Sequence, residues 1–488
     1  TAVALAVALA MGLGTLGVSP SDDAAGRVRI GTSGYIESES AEIHANRTLP
    51  ATRGETPSTA PTVHTAEDAA GGATVPSSIV PGSVNRSSLR LEARYDAALT
   101  LGWTSRAVRV DSTATIRNTS GGSIDRVELN TVAARLGGLR LLGVTVDGAT
   151  VTATIRDQTI IVPLGGILPE GATTVVWVRY AATLRSTTGN SDWLFTKANG
   201  IADLYRWLPW VSRRVAFVRP NFGDPFVTPS SPHVRVRITT DRPLVLATSG
   251  NRTASNGLTQ TYEATNVRDF TITAAPDFRT RSALVGTRNV IVYYRPGQDG
   301  AAILRSAVSS LSKLQKLLGA YPYRTYRVAQ SAGGLGMESP ALVWIPYGLA
   351  PSRLPYLVGH ETAHQWFYAL VGNDQAKEPF TDEAAADFVT RYMLGWKRGS
   401  RCATDELDRS IYGYSRSCYY ETIYIQGGNL LDTARRQMGS TAFWTALRGY
   451  LTDHRFGLAS TKQLLQALDA ATTKDLSTTF APRFPRIY

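Results

Sequence analysis

The apolar residues of this chain change their spacing once, near residue 286, and that change divides the folded body into two kinds of structure. From about residue 88 the stretches LRLEARYDAALTL, AVRVDSTATIRN, LLGVTVDGATVTATI, TTVVWVRYAATL, HVRVRITT and TYEATNVRDFTITAA alternate or run β-rich. A spacing of two places successive side chains on opposite faces of a strand. Asp147-Gly148 lies between two such runs and predicts a tight hairpin. Many short strands separated by turn signals predict an antiparallel β domain over 86–280. Beyond 286 the spacing becomes helical. AAILRSAVSSLSKLQKLLG puts Ile303, Val308, Leu311, Leu314, Leu317 and Leu318 on one stripe, and Gly319 ends it. Further helices are predicted at about 354–370, 381–396, 425–438, 441–452 and 460–471, with one strand, YRVAQ, at 326–330. The chain therefore reads as a multidomain α+β protein whose second part, 281–488, is mainly helical with a small sheet. Its 488 residues leave room for a sizeable core in each part.

The segments before the body read differently. Residues 1–18, TAVALAVALAMGLGTLGV, are apolar and uncharged, of a length between a signal-peptide core and a short membrane span. They predict an exported protein, either secreted or attached to the membrane through this segment. Residues 19–85 are rich in Ser, Thr, Ala, Gly and Pro and read as a flexible linker. The net charge of +12 is spread over scattered arginines, without a dense basic block, so no nucleic-acid partner is expected. Export makes a bridge between the two cysteines, Cys402 and Cys418, one reading; two free buried thiols is the other.

One segment carries chemistry. LVGHETAHQWFYALV contains His360-Glu361-Thr362-Ala363-His364, and the chain has only six histidines. Residues four apart on a helix share a face, so both imidazoles can reach one metal ion. Leu357, His360, Glu361, His364 and Tyr368 are expected on that inward face. Zinc favours imidazole nitrogen and carboxylate oxygen, and its catalytic sites use three protein ligands. Glu361, next to the first histidine, is placed to take a proton from a zinc-activated water. Gly372-Asn373-Asp374 breaks this helix, and Thr381 is a natural N-cap for the next. Glu383 follows in the first turn, with eighteen residues between it and His364. Alone it reads as a favourable acid at a helix start; a helix–loop–helix return makes it the third ligand.

This pattern resembles the gluzincin zinc aminopeptidases, the family of aminopeptidase N and leukotriene hydrolase. Its zinc signature is HExxH, eighteen residues, Glu, with Gln-Trp-Phe after the second histidine, and Gln365, Trp366 and Phe367 match. Gly336-Met337-Glu338 resembles the Gly-x-Met-Glu-Asn exopeptidase motif. Tyr424-Ile425-Gln426-Gly427 resembles the Tyr-x-Lys-Gly motif that holds the catalytic tyrosine. Tyr95-Asp96 and residues 115–130 resemble the start of the family's N-terminal β domain. Ser339 stands for the family Asn, Gln426 for the Lys, and Phe380-Thr381-Asp382 for Trp-Leu-Asn. The resemblance covers about residues 88–488 and is to a short, bacterial-type member without the long helical C-terminal domain.

The resemblance implies a thermolysin-like catalytic domain with one zinc ion on His360, His364 and Glu383. Glu361 is then the base and Tyr424 the donor to the oxyanion. Gly336, Met337 and Glu338 bind substrate, with Glu338 holding the free α-amine of a peptide. It implies a zinc metallopeptidase that removes N-terminal residues; an endopeptidase or a non-peptidase zinc hydrolase would use the same site. Asp387, one turn beyond Glu383, is expected to hydrogen-bond a zinc histidine, His360 in particular. Nothing in the sequence sets an oligomeric state.

Overall fold

The computed structural model describes residues 78–402 and 406–488. The predicted export segment and most of the linker lie outside the described residues. The last part of the predicted linker packs on the body. Val80 pairs with Ile167, and Ser83 and the N–H groups of Val84, Asn85 and Arg86 all donate to the Asp125 carboxylate.

The β half is built on Leu91–Leu101, whose side chains alternate between buried and outward along its whole length. It pairs antiparallel with Ala107–Asn118, which pairs antiparallel with Thr173–Thr183. On its other edge it pairs with Val234–Thr240, and this pair is parallel, a departure from the all-antiparallel expectation. These strands form the centre of an eight-stranded sheet. A four-stranded sheet holds Ile124–Asn130 and Thr159–Leu168, and the inward residues of both sheets share one core. Each fully buried Leu, Ile or Val there contributes about 1.5–3 kcal/mol. The Asp147-Gly148 hairpin is present, with φ of 48° and 84° and Val146 opposite Ala149. Left-handed conformations at both central residues match the twist of the strands they join.

The helical half has its own core and a four-stranded mixed sheet. Its strands run Arg279–Val285, Arg288–Tyr294, Thr325–Ser331 and Leu342–Pro346, the first pair antiparallel and the others parallel. The boundary between the halves thus falls just before Arg279. Of these strands the sequence pattern predicts only the fully buried Thr325–Ser331, as YRVAQ. Arg279–Val285 is exposed along most of its length, so it shows no apolar alternation. The helix Gly300–Leu318 starts on an Asp299 cap, buries Ile303, Leu311, Leu314 and Leu318, and stops at Gly319, where φ is 97°. It connects two parallel strands as a crossover helix. Helices also span Leu354–Ala363, Ala385–Leu394, Gly427–Met438, Ser440–Asp453 and Thr461–Ala470.

The halves interlock through the segment that leaves the β half after residue 211. Arg213 makes a two-pronged pair with Asp374, its Nε and Nη2 each 2.7 Å from a carboxylate oxygen. Gln375 N–H donates to Phe226 O at 3.1 Å. This lays residues 219–228 over the helical half.

Candidate metal centre

The helix Leu354–Ala363 carries His360 and Glu361, and His364 caps its end. Past that point backbone bonds reach five residues on, from Ala369 to His364 and Leu370 to Gln365. The helix is shorter than its apolar run implies, and Tyr368 leaves the inward face. Its hydroxyl binds Asp269 and accepts from Arg206, and its φ is 151°. Close approach brings the motif helix onto Ala385–Leu394. A Cβ on Gly359 would lie 2.5 Å from Met393 Cε and 3.0 Å from Thr390 Cγ2, so the glycine lets these two side chains pack directly on the motif helix.

Glu383 arrives on a π-helical turn, Phe380–Ala384, that runs into Ala385–Leu394. Thr381 does not cap this helix, contrary to expectation. It lies inside the turn, and its hydroxyl bonds Thr461 Oγ1 at 2.9 Å. Tyr424 also lies on a π-helical turn, Tyr420–Gln426. Such turns are uncommon and recur at functional sites.

The three proposed ligand atoms form a triangle. His360 Nε2 and His364 Nε2 are 3.1 Å apart, and Glu383 Oε2 lies 3.2 Å from the first and 3.4 Å from the second. Three ligands at about 2.0–2.1 Å from one tetrahedral ion stand about 3.3 Å from each other. Glu383 Oε2 is buried with no hydrogen-bond partner, and so is His360 Nδ1. Two imidazole nitrogens and a carboxylate oxygen converging on one point fit a metal ion of the zinc type. Burial alone would raise the Glu383 carboxyl, but the two imidazoles beside it, His360 and His364, outweigh burial and hold it well below its usual range.

His364 Nδ1 meets Asp382 Oδ1 at 2.6 Å and Phe367 O at 3.0 Å, which leaves the Nε2 lone pair for the metal. Asp382, noted in the sequence only as a departure, is thus the carboxylate behind His364, one of the three candidate ligands. The expectation for Asp387 is not met. Its oxygens are taken by Tyr356 Oη and Arg391 Nε, each at 2.6 Å, and His360 Nδ1 has no partner. Asp387 reaches His360 only through Tyr356, whose ring stacks on the imidazole with centroids 6.0 Å apart. One turn along the helix points Asp387 past the metal triangle, toward the base of the motif helix.

Glu361 is buried, and burial raises it to about 7 against the lowering effect of His360 and His364. A cation in the triangle would draw that value down, toward the ionised base. Glu338 is buried too and offers an oxygen within 4.8 Å of atoms of Glu361 and His364. Met337 pairs with Trp344 across a tight turn, which sets Gly336-Met337-Glu338 along the edge of the sheet. Gln365 clamps this segment to the motif helix: its Nε2 donates to Ser339 O and its Oε1 accepts from Ala341 N–H, both at 2.9 Å. Ser339 turns its hydroxyl to Asp269 and to Ser249, away from the ligand triangle. Tyr424 stacks on His360 with centroids 5.5 Å apart, and burial with the nearby Glu383 charge keeps its phenol protonated. Gln426, one residue pair further, holds Ser400, Cys402 O and Arg483. Cys402 and Cys418 form a disulfide.

Three site residues carry no readable motif. Asp224 is buried beside the ligand set and paired with Arg219 at 2.7 Å; burial raises it to about 6 against Arg219. Gln375 touches both Glu338 and Asp382. Tyr419 has a buried hydroxyl without a partner. Each reaches the site through tertiary contacts that no short spacing encodes.

No protein-family model matches the chain. Two yeast enzymes from Saccharomyces cerevisiae are similar over part of it. The alanine/arginine aminopeptidase is 28% identical, over 25% of this chain and 17% of its own length. Aminopeptidase 2, mitochondrial, is 28% identical over 25% of this chain and 15% of its own length. The chain thus matches less than a fifth of either curated relative. Among solved structures, a mutant M1 zinc metallopeptidase from Deinococcus radiodurans superposes with a TM-score of 0.65 at 20% identity, covering 84% of this chain and 97% of that one. A mutant of that enzyme bound to a Tyr-Ser-Ala substrate gives 0.62 at 20% identity, over 84% and 98%. A two-domain M1 zinc metallopeptidase mutant bound to L-tryptophan gives 0.64 at 20% identity, over 83% and 95%. The fold of the described residues is that of the two-domain M1 zinc metallopeptidases.

Proposed function

We propose that this chain is an M1-type zinc aminopeptidase that removes residues from the free N-termini of peptides. The observation that carries the reading is the triangle of His360, His364 and Glu383, with Glu361 and Glu338 buried beside it. The M1 fold, the two yeast aminopeptidases and the relative holding a tripeptide substrate support it. The catalytic half reads as thermolysin-like, with the motif helix and the ligand helix meeting at the metal.

Zinc held by these three ligands would polarise the scissile carbonyl and make a water acidic enough to attack near neutral pH. Glu361 takes the proton of the attacking water and passes it to the leaving amine. Tyr424 donates its phenolic hydrogen to the oxygen that gains charge in the transition state. Glu338 pairs with the substrate's terminal ammonium and sets the first peptide bond over the metal. We read the enzyme as exported, secreted or anchored through residues 1–18, a reading the Cys402–Cys418 disulfide supports.

Purified protein is expected to hold about one zinc per chain. It is expected to cleave aminoacyl fluorogenic amides, to lose that activity to a chelator and to spare the N-acetylated forms. Equal cleavage of one peptide with a free and an acetylated terminus makes the enzyme an endopeptidase. Zinc binding without any amide hydrolysis makes it another class of hydrolase.

A further inference from the structure

We infer that Gln375 is a positioning residue that ties the amine anchor Glu338 to the metal ligand His364, so that amine binding and metal binding support each other. The amine half rests on the proposed aminopeptidase function; the metal half does not. The carboxamide nitrogen of Gln375 stands between two buried carboxylates, 2.8 Å from Glu338 Oε1 and 2.6 Å from Asp382 Oδ2. The other oxygen of Asp382 accepts from His364 Nδ1 at 2.6 Å. A continuous line of hydrogen bonds therefore runs from the residue that would meet the substrate's amine to a residue that would hold the metal.

The direction of each bond is fixed by chemistry. An amide nitrogen donates two hydrogens and accepts none. The reverse orientation would aim the Gln375 carbonyl at two carboxylates. Gln375 thus fixes Glu338 Oε1 as an acceptor and leaves its second oxygen for an ammonium. It likewise fixes Asp382 as an acceptor on both sides, which keeps the His364 proton on Nδ1 and the Nε2 lone pair on the metal side. Gln375 Oε1 is buried and has no hydrogen-bond partner among the protein atoms, so the side chain is held through its nitrogen. The backbone holds the side chain in place, since Gln375 N–H donates to Phe226 O from the β half. A coupling between two binding events is reciprocal, so a change at either end is read at the other.

The test measures two quantities: the zinc Kd of apoprotein, by competition with a chromophoric chelator, and KM and kcat for an alanyl fluorogenic amide. Gln375→Met keeps the shape and removes both donors. It is expected to raise the zinc Kd about 10- to 100-fold, and to raise KM about tenfold with a smaller fall in kcat. In a Glu338→Ala background the same change is expected to leave KM nearly unaltered. Full multiplication of the two KM effects, or an unchanged zinc Kd in a variant with the wild-type circular dichroism spectrum, overturns the inference. Should Gln375→Met fail to fold, Glu338→Gln decides, because it leaves Gln375 in place. A zinc Kd raised severalfold by that change supports the coupling, and an unchanged one overturns it. If the wild type cleaves no aminoacyl amide, the aminopeptidase reading falls, while the zinc measurements still decide the link from Gln375 to His364.

Discussion

Gly336 lies against Glu361: a Cβ built on the glycine would stand 2.0 Å from Glu361 Oε1 and 2.6 Å from its Cδ. The exopeptidase-like segment and Glu361, the proposed base, are thus in direct contact, and only a hydrogen fits between them. Gly336→Ala is expected to push the carboxylate from its place without touching a ligand. A displacement of about 1 Å at a reacting group costs on the order of 100-fold in rate. We expect kcat to fall by about that factor with the zinc content unchanged; a kcat within threefold of wild type would show that Glu361 has room to retreat.

The two aspartates near the metal separate by what they hold. Asp382 touches His364, a proposed ligand, whereas Asp387 is a buried partner of Arg391 and Tyr356. Asp382→Ala is expected to weaken zinc about 10- to 100-fold in chelator competition. Asp387→Ala leaves Arg391 buried without its charge partner, which costs about 3–5 kcal/mol of stability in urea unfolding. The reverse pattern, zinc weakened more by Asp387→Ala, would restore the reading in which Asp387 supports His360.

Much of this architecture is written in local pattern. Spacing of two and of 3.6 separates the halves, and the Asp147-Gly148 turn and the Gly319 stop follow from single-residue conformational preferences. The pair His360 and His364 is legible because a helix fixes their geometry, and Glu383 because a return of eighteen residues brings it back. What escapes is what the tertiary fold decides. Arg279–Val285 joins the sheet of the helical half as an exposed edge, so burial leaves no alternation to read. Thr381 has the chemistry of a cap but sits within a π turn, where the widened backbone points its hydroxyl at Thr461. Asp387 is on the ligand helix as expected, yet the Arg391 guanidinium one turn later takes the oxygen meant for histidine. Asp382 and Gln375 are recognisable only once the loop after Gly372 is folded over Glu338.

Tyr424 keeps its ring on His360 and its hydroxyl in protonated form near Glu383. Tyr424→Phe retains the stacking surface and removes the donor alone. Loss of one donor to a developing oxyanion costs about 100- to 1000-fold in kcat. KM and zinc content are expected to stay within a few fold of wild type. A fall seen chiefly in KM would make the hydroxyl a ground-state contact.

Asp203 supplies a pH dependence of stability separate from the metal. It is fully buried in the strand Ile201–Leu204, with Thr273 Oγ1 at 2.6 Å and the Ala332 N–H at 2.7 Å. Ala332 begins the segment that leads to Gly336. Burial raises Asp203 from 3.8 to about 7, against the lowering by these two donors. A carboxyl raised on folding binds its proton more tightly in the native state than in the unfolded chain. Its contribution is fully present below about pH 4 and is lost as pH rises through about 7. This gain in proton affinity on folding corresponds to about 4 kcal/mol. Asp203→Asn mimics the neutral carboxyl at every pH. Urea unfolding of both proteins is expected to give similar stabilities near pH 4 and a growing advantage for the variant toward pH 8. A difference that stays flat across this range would mean that Asp203 is ionised throughout, held by Thr273 and the Ala332 amide.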